Sequence, residues 1–119
     1  MKPGGYADRA LIEHMLECVA RIRAYTRDGR DTFLHSGLIQ DAVIRNLQTL
    51  AESSQRLSDA VKNDEPAVPW KNMAGMRNIL VHDYLGGVDV DTVWEAVDSH
   101  LPALEQALNR LFQQYPEEV

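Results

Sequence analysis

Arg77, His82 and Tyr84 fall within one octapeptide, RNILVHDY at residues 77–84, with Asn78 and Asp83 beside them and the apolar Ile79, Leu80 and Val81 between. A helix that only needed a core face has no use for this polar set. As chemistry, the set suits a phosphodiester. Arginine presents a planar, permanently charged fork that matches phosphate oxygens in pairs. Histidine, with an unperturbed pKa of about 6.5, takes or gives a proton near neutrality. In cleaving RNA, a base removes the proton of the ribose 2′-hydroxyl, the oxyanion attacks the adjacent phosphorus, and arginine stabilises the charge that builds on the phosphoryl oxygens.

Helical spacing constrains how these groups meet. Arg77 and His82 lie about 140° apart on an ideal helix, whereas Arg77 and Tyr84 lie within about 20°. One rigid helix face therefore does not present the whole set, and the weight moves to a helix end and a second subunit. An acid must also protonate the leaving 5′-oxygen, and one histidine does not serve both faces of the phosphorus. A two-fold dimer bringing two copies of His82 to one cleft supplies both a base and an acid. The same residues also admit a packing reading, with Tyr84 capping the core and Asp83 pairing with Arg77 or Lys71.

The elements that must position them are helical. Ile12, Met15, Val19 and Ile22, widened by Leu11 and Leu16, form the stripe of a helix from Asp8 to about Thr26, with Asp8 as its N-cap. RDGRDTFLHSG follows as a loop with one short helical turn around Phe33. Val43, Leu47, Leu50, Ser54, Leu57 and Val61 alternate spacings of four and three, which predicts one helix from about Leu38 to Lys62. NDEPAVPW breaks the pattern, and Pro69 suits the first turn of a short third helix carrying KNMAGMRNILVHDY and ending near LGGVD, at Gly86 and Gly87. A fourth helix, N-capped by Asp91, carries Trp94, Val97, Leu101, Leu104, Leu108, Leu111 and Tyr115, with Pro102 kinking or dividing it. Nothing reads as a sheet. The expectation is an all-α, up-and-down bundle of about four main helices, with broad apolar stripes on the second and fourth that favour a homodimer.

Composition narrows the function classes. The 119 residues make one domain, 1–119, with residues 1–7 and 116–119 expected to be flexible. A net charge of -6 excludes a surface that binds nucleic acid everywhere, though Arg21, Arg23, Arg27 and Arg30 gather near one helix end. That cluster reads either as a basic patch or as a solvated helix terminus whose cations complement the macrodipole. A lone cysteine, Cys18, rules out an internal disulfide and a zinc set, and reads as a buried thiol. His14, His35 and His100 are scattered without matching carboxylates, so no metal site is expected. Trp70 and Trp94 read as core anchors. The absence of a long apolar run and of a signal peptide predicts a cytoplasmic chain with no membrane partner.

Arg, four residues, His, one residue, Tyr on a short helix of an all-helical domain resembles the signature of the HEPN superfamily, and specifically of its HepT-like toxins. QDAVIRNLQTLAESSQRLS resembles that family's long helix, VPWKNMAGMRN its proline-tryptophan approach to the motif helix, and VDVDTVWEAVDSHLPALEQAL its last helix. The likeness runs from about Ile12 to Leu108. It implies a metal-independent, cofactor-free ribonuclease toxin acting on RNA as a homodimer, with Arg77 and His82 catalytic and Asn78 supporting. It also implies an MntA-like nucleotidyltransferase antitoxin that transfers AMP to the motif tyrosine, matched by Tyr84. The chain departs from the family at Ala51, where a glycine often precedes the glutamate. Glu52 is retained, open either to a solvated role or to one behind Arg77 or His82. The alternative function is a non-catalytic HEPN module that partners a nucleotidyltransferase or binds nucleotides.

Overall fold

A computed structural model describes residues 5–82 and 89–115, with side chains from Ala7 to Met76 and from Asp89 to Tyr115. Seven α-helices occupy those residues: α1 (Gly5–Tyr25), α2 (Arg30–Leu34), α3 (Gly37–Arg56), α4 (Asp59–Asp64), α5 (Trp70–His82), α6 (Val90–Glu95) and α7 (Leu101–Gln114). A π-turn, Ala96–His100, joins the last two. The described residues contain no strand. The four long bodies are α1, α3, α5 and the α6–π–α7 rod, as the apolar periods require.

All three stripes read from sequence face the core, with Leu11, Leu16, Trp94 and Tyr115 half-buried at its edge. Ile12, Met15, Val19 and Ile22 of α1 meet Val43, Leu47 and Leu50 of α3, and Leu101, Leu104, Leu108 and Leu111 of α7 close the third side. Full burial of such side chains contributes roughly 1.5–3 kcal/mol each. Cys18 lies within this core, and burial pushes its thiol pKa up, as expected of an inert cysteine. Phe33, on the short α2, is fully buried against Trp94 with ring centroids 5.4 Å apart. Gly29 makes the turn ahead of it at φ 93, a conformation that side chains disfavour.

The long helix expected over 38–62 is two helices. Leu57 turns extended at ψ 144, and the Ser58 hydroxyl caps α4 by accepting from the Val61 N–H at 3.3 Å. Asp8 holds this break from across the bundle. Instead of capping α1, it sits in that helix's first turn, only 3% exposed, and accepts from the Ser58 N–H at 2.9 Å and the Ser58 hydroxyl at 2.7 Å. The apolar period continues through the break because Leu57 and Val61 still face the core.

One further boundary differs from expectation, and the division expected at Pro102 is present. Asp89, not Asp91, caps α6: its carboxylate accepts from the Asp91 N–H at 3.0 Å and the Thr92 hydroxyl at 3.1 Å. At Pro102 the helix widens into the π-turn before α7 starts, so the missing proline N–H falls at a helix start, where no intrahelical partner is needed. The expected stop at Gly86 and Gly87 lies outside the described residues.

Candidate active site on the motif helix

Arg77, Asn78 and His82 lie on the later part of α5, and His82 is the last residue described there. Their side chains, and Asp83 and Tyr84 altogether, lie outside the described residues. The backbone still supplies the register. Relative to Lys71, position 82 falls within about 20° and position 78 within about 20° on the other side, while position 77 falls about 240° around. Lys71 and Gly75 are exposed, whereas Met73 is buried and Trp70 half-buried. On an ideal helix, position 82 thus lies near the azimuth of Lys71, and position 77 between those of Met73 and Trp70.

α5 is anchored at its start. The Trp70 indole N–H donates to the carbonyls of Lys62 and Glu65, each at 3.2 Å, and the Pro69 carbonyl accepts from the Asn72 and Met73 N–H groups. Trp70 is thus an anchor, as read from sequence, though at the core's edge. The walls that α3 and α5 share, Gln55 with Lys71 and Ala74, Leu47 and Leu50 with Met73 and Met76, make the two helices antiparallel. α1 starts at the same pole, where Arg9 donates to the Phe112 and Tyr115 carbonyls at 3.2 and 2.7 Å. Consequently α5 carries its motif toward the opposite pole, where α1 ends.

That pole holds the four arginines. Arg23 pairs with Glu105 at 2.6 Å and Arg30 with Asp91 at 3.1 Å, while Arg21 and Arg27 are exposed. Half of the cluster is therefore taken up by carboxylates of α6 and α7, which favours the helix-terminus reading over a continuous basic patch. Glu52 lies elsewhere. It is exposed and lines a groove with Ala10, Leu11 and His14 of α1, about 200° around α3 from Leu50, which faces α5.

On its other side α5 leaves an apolar pocket of about 220 Å³, walled by Leu47 and Leu50 of α3, Met73 and Met76 of α5, and Leu101 and Leu104 of α7, with His100 at the rim. This flank of the motif helix was not read from the sequence, because it depends on how far α5 stands from α7. Among the described residues, no group of three or more His, Cys, Asp or Glu residues is placed to hold a metal ion. None of the described helices is long and apolar enough to cross a membrane.

A sequence profile described as Ribonuclease HepT-like matches residues 15–111, a span that includes the whole of α5. The "Probable ribonuclease HepT" of Thermococcus cleftensis is 35% identical over 101 residues, covering 84% of this chain and 91% of the relative. The "mRNA nuclease HepT" of Shewanella oneidensis is 27% identical over 122 residues, covering 82% and 90%. The chain also matches a "Gamma-glutamylcyclotransferase and putative RNase" of Methanocaldococcus jannaschii at 34% identity, where it spans 87% of its own length but 46% of that relative. No solved structure matches. On this evidence of profile and relatives, the chain belongs to the HepT-like ribonuclease family.

Proposed function

We propose that the protein is an RNA endonuclease toxin whose cleft forms between two copies of the chain. Arg77 holds the scissile phosphate and neutralises the charge of the transition state, with no metal required. His82 of one copy takes the 2′-hydroxyl proton. The 2′-oxygen–phosphorus bond forms as the phosphorus–5′-oxygen bond breaks, leaving a cyclic phosphate, and His82 of the other copy protonates the departing oxygen. Asn78 and Asp83 support the site. The observation that supports this reading is the spacing on α5, where positions 77 and 82 lie about 140° apart around one helix. Such a split suits a site completed by a second subunit. The apolar pocket beside α5 offers that subunit surface to cover.

Regulation follows from the same motif. A nucleotidyltransferase antitoxin of the MntA kind joins the Tyr84 oxygen to the α-phosphorus of ATP and releases pyrophosphate. The tyrosyl-AMP places a negative phosphodiester and a bulky nucleoside where RNA phosphate docks, and competes for Arg77. The protein acts in the cytoplasm.

His82→Ala and Arg77→Ala are expected to lower RNA cleavage by about 100-fold or more and to relieve growth inhibition, while the dimer persists by sedimentation. A fully active His82→Ala protein overturns the assignment. Intact RNA with the wild-type protein, together with a stable complex with the neighbouring gene product, favours the non-catalytic module.

A further inference from the structure

α5 differs from every other described helix in charge. Trp70–His82 contains Lys71 and Arg77 but no carboxylate, in a chain with 18 Asp and Glu residues and a net charge of -6. Lys71 and Gly75 are exposed on one side of it, and by helical register positions 78 and 82 follow at similar azimuth. Gly75 is an anomaly on grounds of stability. It sits in mid-helix, it is exposed, and a methyl group added there meets no atom within 4 Å. Among the described residues neither backbone conformation nor packing calls for glycine, and alanine favours a helix interior. A bare stretch of helix backbone is useful to something outside the chain that must come close.

Charge identifies the visitor. Past Lys71 the stripe runs into an open groove between the α3–α4 joint and the start of α5. Lys62 and Lys71 stand in its walls, with the amides of Gln55 and Asn63 beside them. Among the described residues Asp59 is the one carboxylate lining it. The neighbouring carboxylates are engaged elsewhere: Glu65 takes Arg110 in two hydrogen bonds at 3.0 and 2.7 Å, and Asp64 accepts from the Tyr115 hydroxyl and from Gln114 at 3.0 Å. Two ammonium groups and two amide donors, leading to a histidine by way of a glycine, complement a sugar-phosphate backbone.

We infer that the exposed stripe Lys71–Gly75 of α5 and the groove holding Lys62 are a track for the backbone of single-stranded RNA, extending the substrate site beyond the scissile phosphate. The inference rests on the ribonuclease reading and adds a binding surface to it. Lys71 and His82 are eleven residues apart, about 16 Å along the helix axis, so the track engages a few nucleotides on one side of the cut. Gly75 lets the strand lie against the helix between the two ends. Contact with phosphate alone makes the track indifferent to base sequence.

The test measures binding directly, so that it does not depend on cleavage. A fluorescein-labelled single-stranded RNA of mixed sequence is titrated, over a series of salt concentrations, into His82→Ala protein that is otherwise unaltered or carries Lys71→Gln, Lys62→Gln or Gly75→Ala. Each lysine variant is expected to weaken binding several-fold at low salt and to lower the slope of log affinity against log salt by about 0.7. Gly75→Ala is expected to raise the melting temperature while weakening RNA binding. Oligonucleotides shortened from either end should lose their sensitivity to Lys71→Gln once they no longer reach it. Unchanged affinity and salt slope in both lysine variants overturn the track. So does Gly75→Ala protein that falls to monomer by sedimentation, since the stripe is then a protein contact. Cleavage by the wild-type protein reports separately on the ribonuclease reading.

Discussion

Replacing Asp8 with alanine should loosen the joint from which the motif helix is hung. The Asp8 carboxylate is 3% exposed and accepts two bonds from Ser58, at 2.9 Å from the backbone N–H and 2.7 Å from the hydroxyl. Hydrogen bonds to a charged group are worth roughly 1.5–3 kcal/mol each, and losing the carboxylate also strands a partly buried N–H. Asp8 lies in the first turn of α1, where negative charge is favoured by the helix dipole. The sum is about 3 kcal/mol, which lowers the melting temperature of a domain this size by about 12 °C. Ser58→Ala removes the hydroxyl bond to Asp8 and the cap on the Val61 N–H, and should cost about 1–2 kcal/mol. Because the two residues share bonds, the double variant should fall short of additivity by at least about 1 kcal/mol. Urea denaturation of the four proteins of the cycle, followed by circular dichroism, supplies the numbers. An Asp8→Ala cost below about 1 kcal/mol, or additive losses, refutes the clamp.

Leu108→Ala, at a fully buried position of α7, should destabilise by about 3 kcal/mol in the same assay. The Tyr115 hydroxyl donates to Asp64, and this bond raises the phenol pKa to about 12. Because the folded-state value exceeds the unfolded one, its contribution is intact below about pH 10 and is lost as pH rises toward 12. Stability should therefore slope downward through that window, and Tyr115→Phe should remove the slope. On the acid side, the Arg110 guanidinium holds the Glu65 carboxyl below its usual range, so that pair's contribution is present at neutral pH and fades as pH falls through the lowered value. Incubated with its cognate nucleotidyltransferase and ATP, the protein should gain mass in steps of one AMP, and Tyr84→Phe should abolish the gain; labelling at another residue refutes the site.

The helical class and the core faces were legible because burial imposes a period that the chain writes out directly: every residue of the 43–61 stripe is buried. Helix boundaries were less legible. The break at Leu57–Ser58 leaves that period intact, and its cause is Asp8, fifty residues away, so no local reading of the 38–62 segment finds it. Asp89 and Asp91 are both plausible caps, and only the backbone turn decides between them. For the candidate site, residue types and spacing identified Arg77 and His82 as a pair able to act on phosphate. They did not identify the lysines near the start of α5. Lys62 and Lys71 are ordinary surface residues in sequence, and they become a pair only when α4 and α5 fold into the walls of one groove.

By itself the sequence determined what is periodic or compositional: an all-helical chain, three apolar stripes, a segment from Trp70 to His82 without a carboxylate, and the family to which the motif belongs. Tertiary structure alone decided which way α5 faces. It set the pole to which the motif points, the turning of Glu52 toward α1, and the open groove and apolar pocket on the two flanks of α5. The physical reason is that a helix's own register comes from local backbone geometry, while its rotation and depth against its neighbours come from contacts such as Met73 on α3 and Trp70 on the α4 carbonyls, which join residues far apart in the chain.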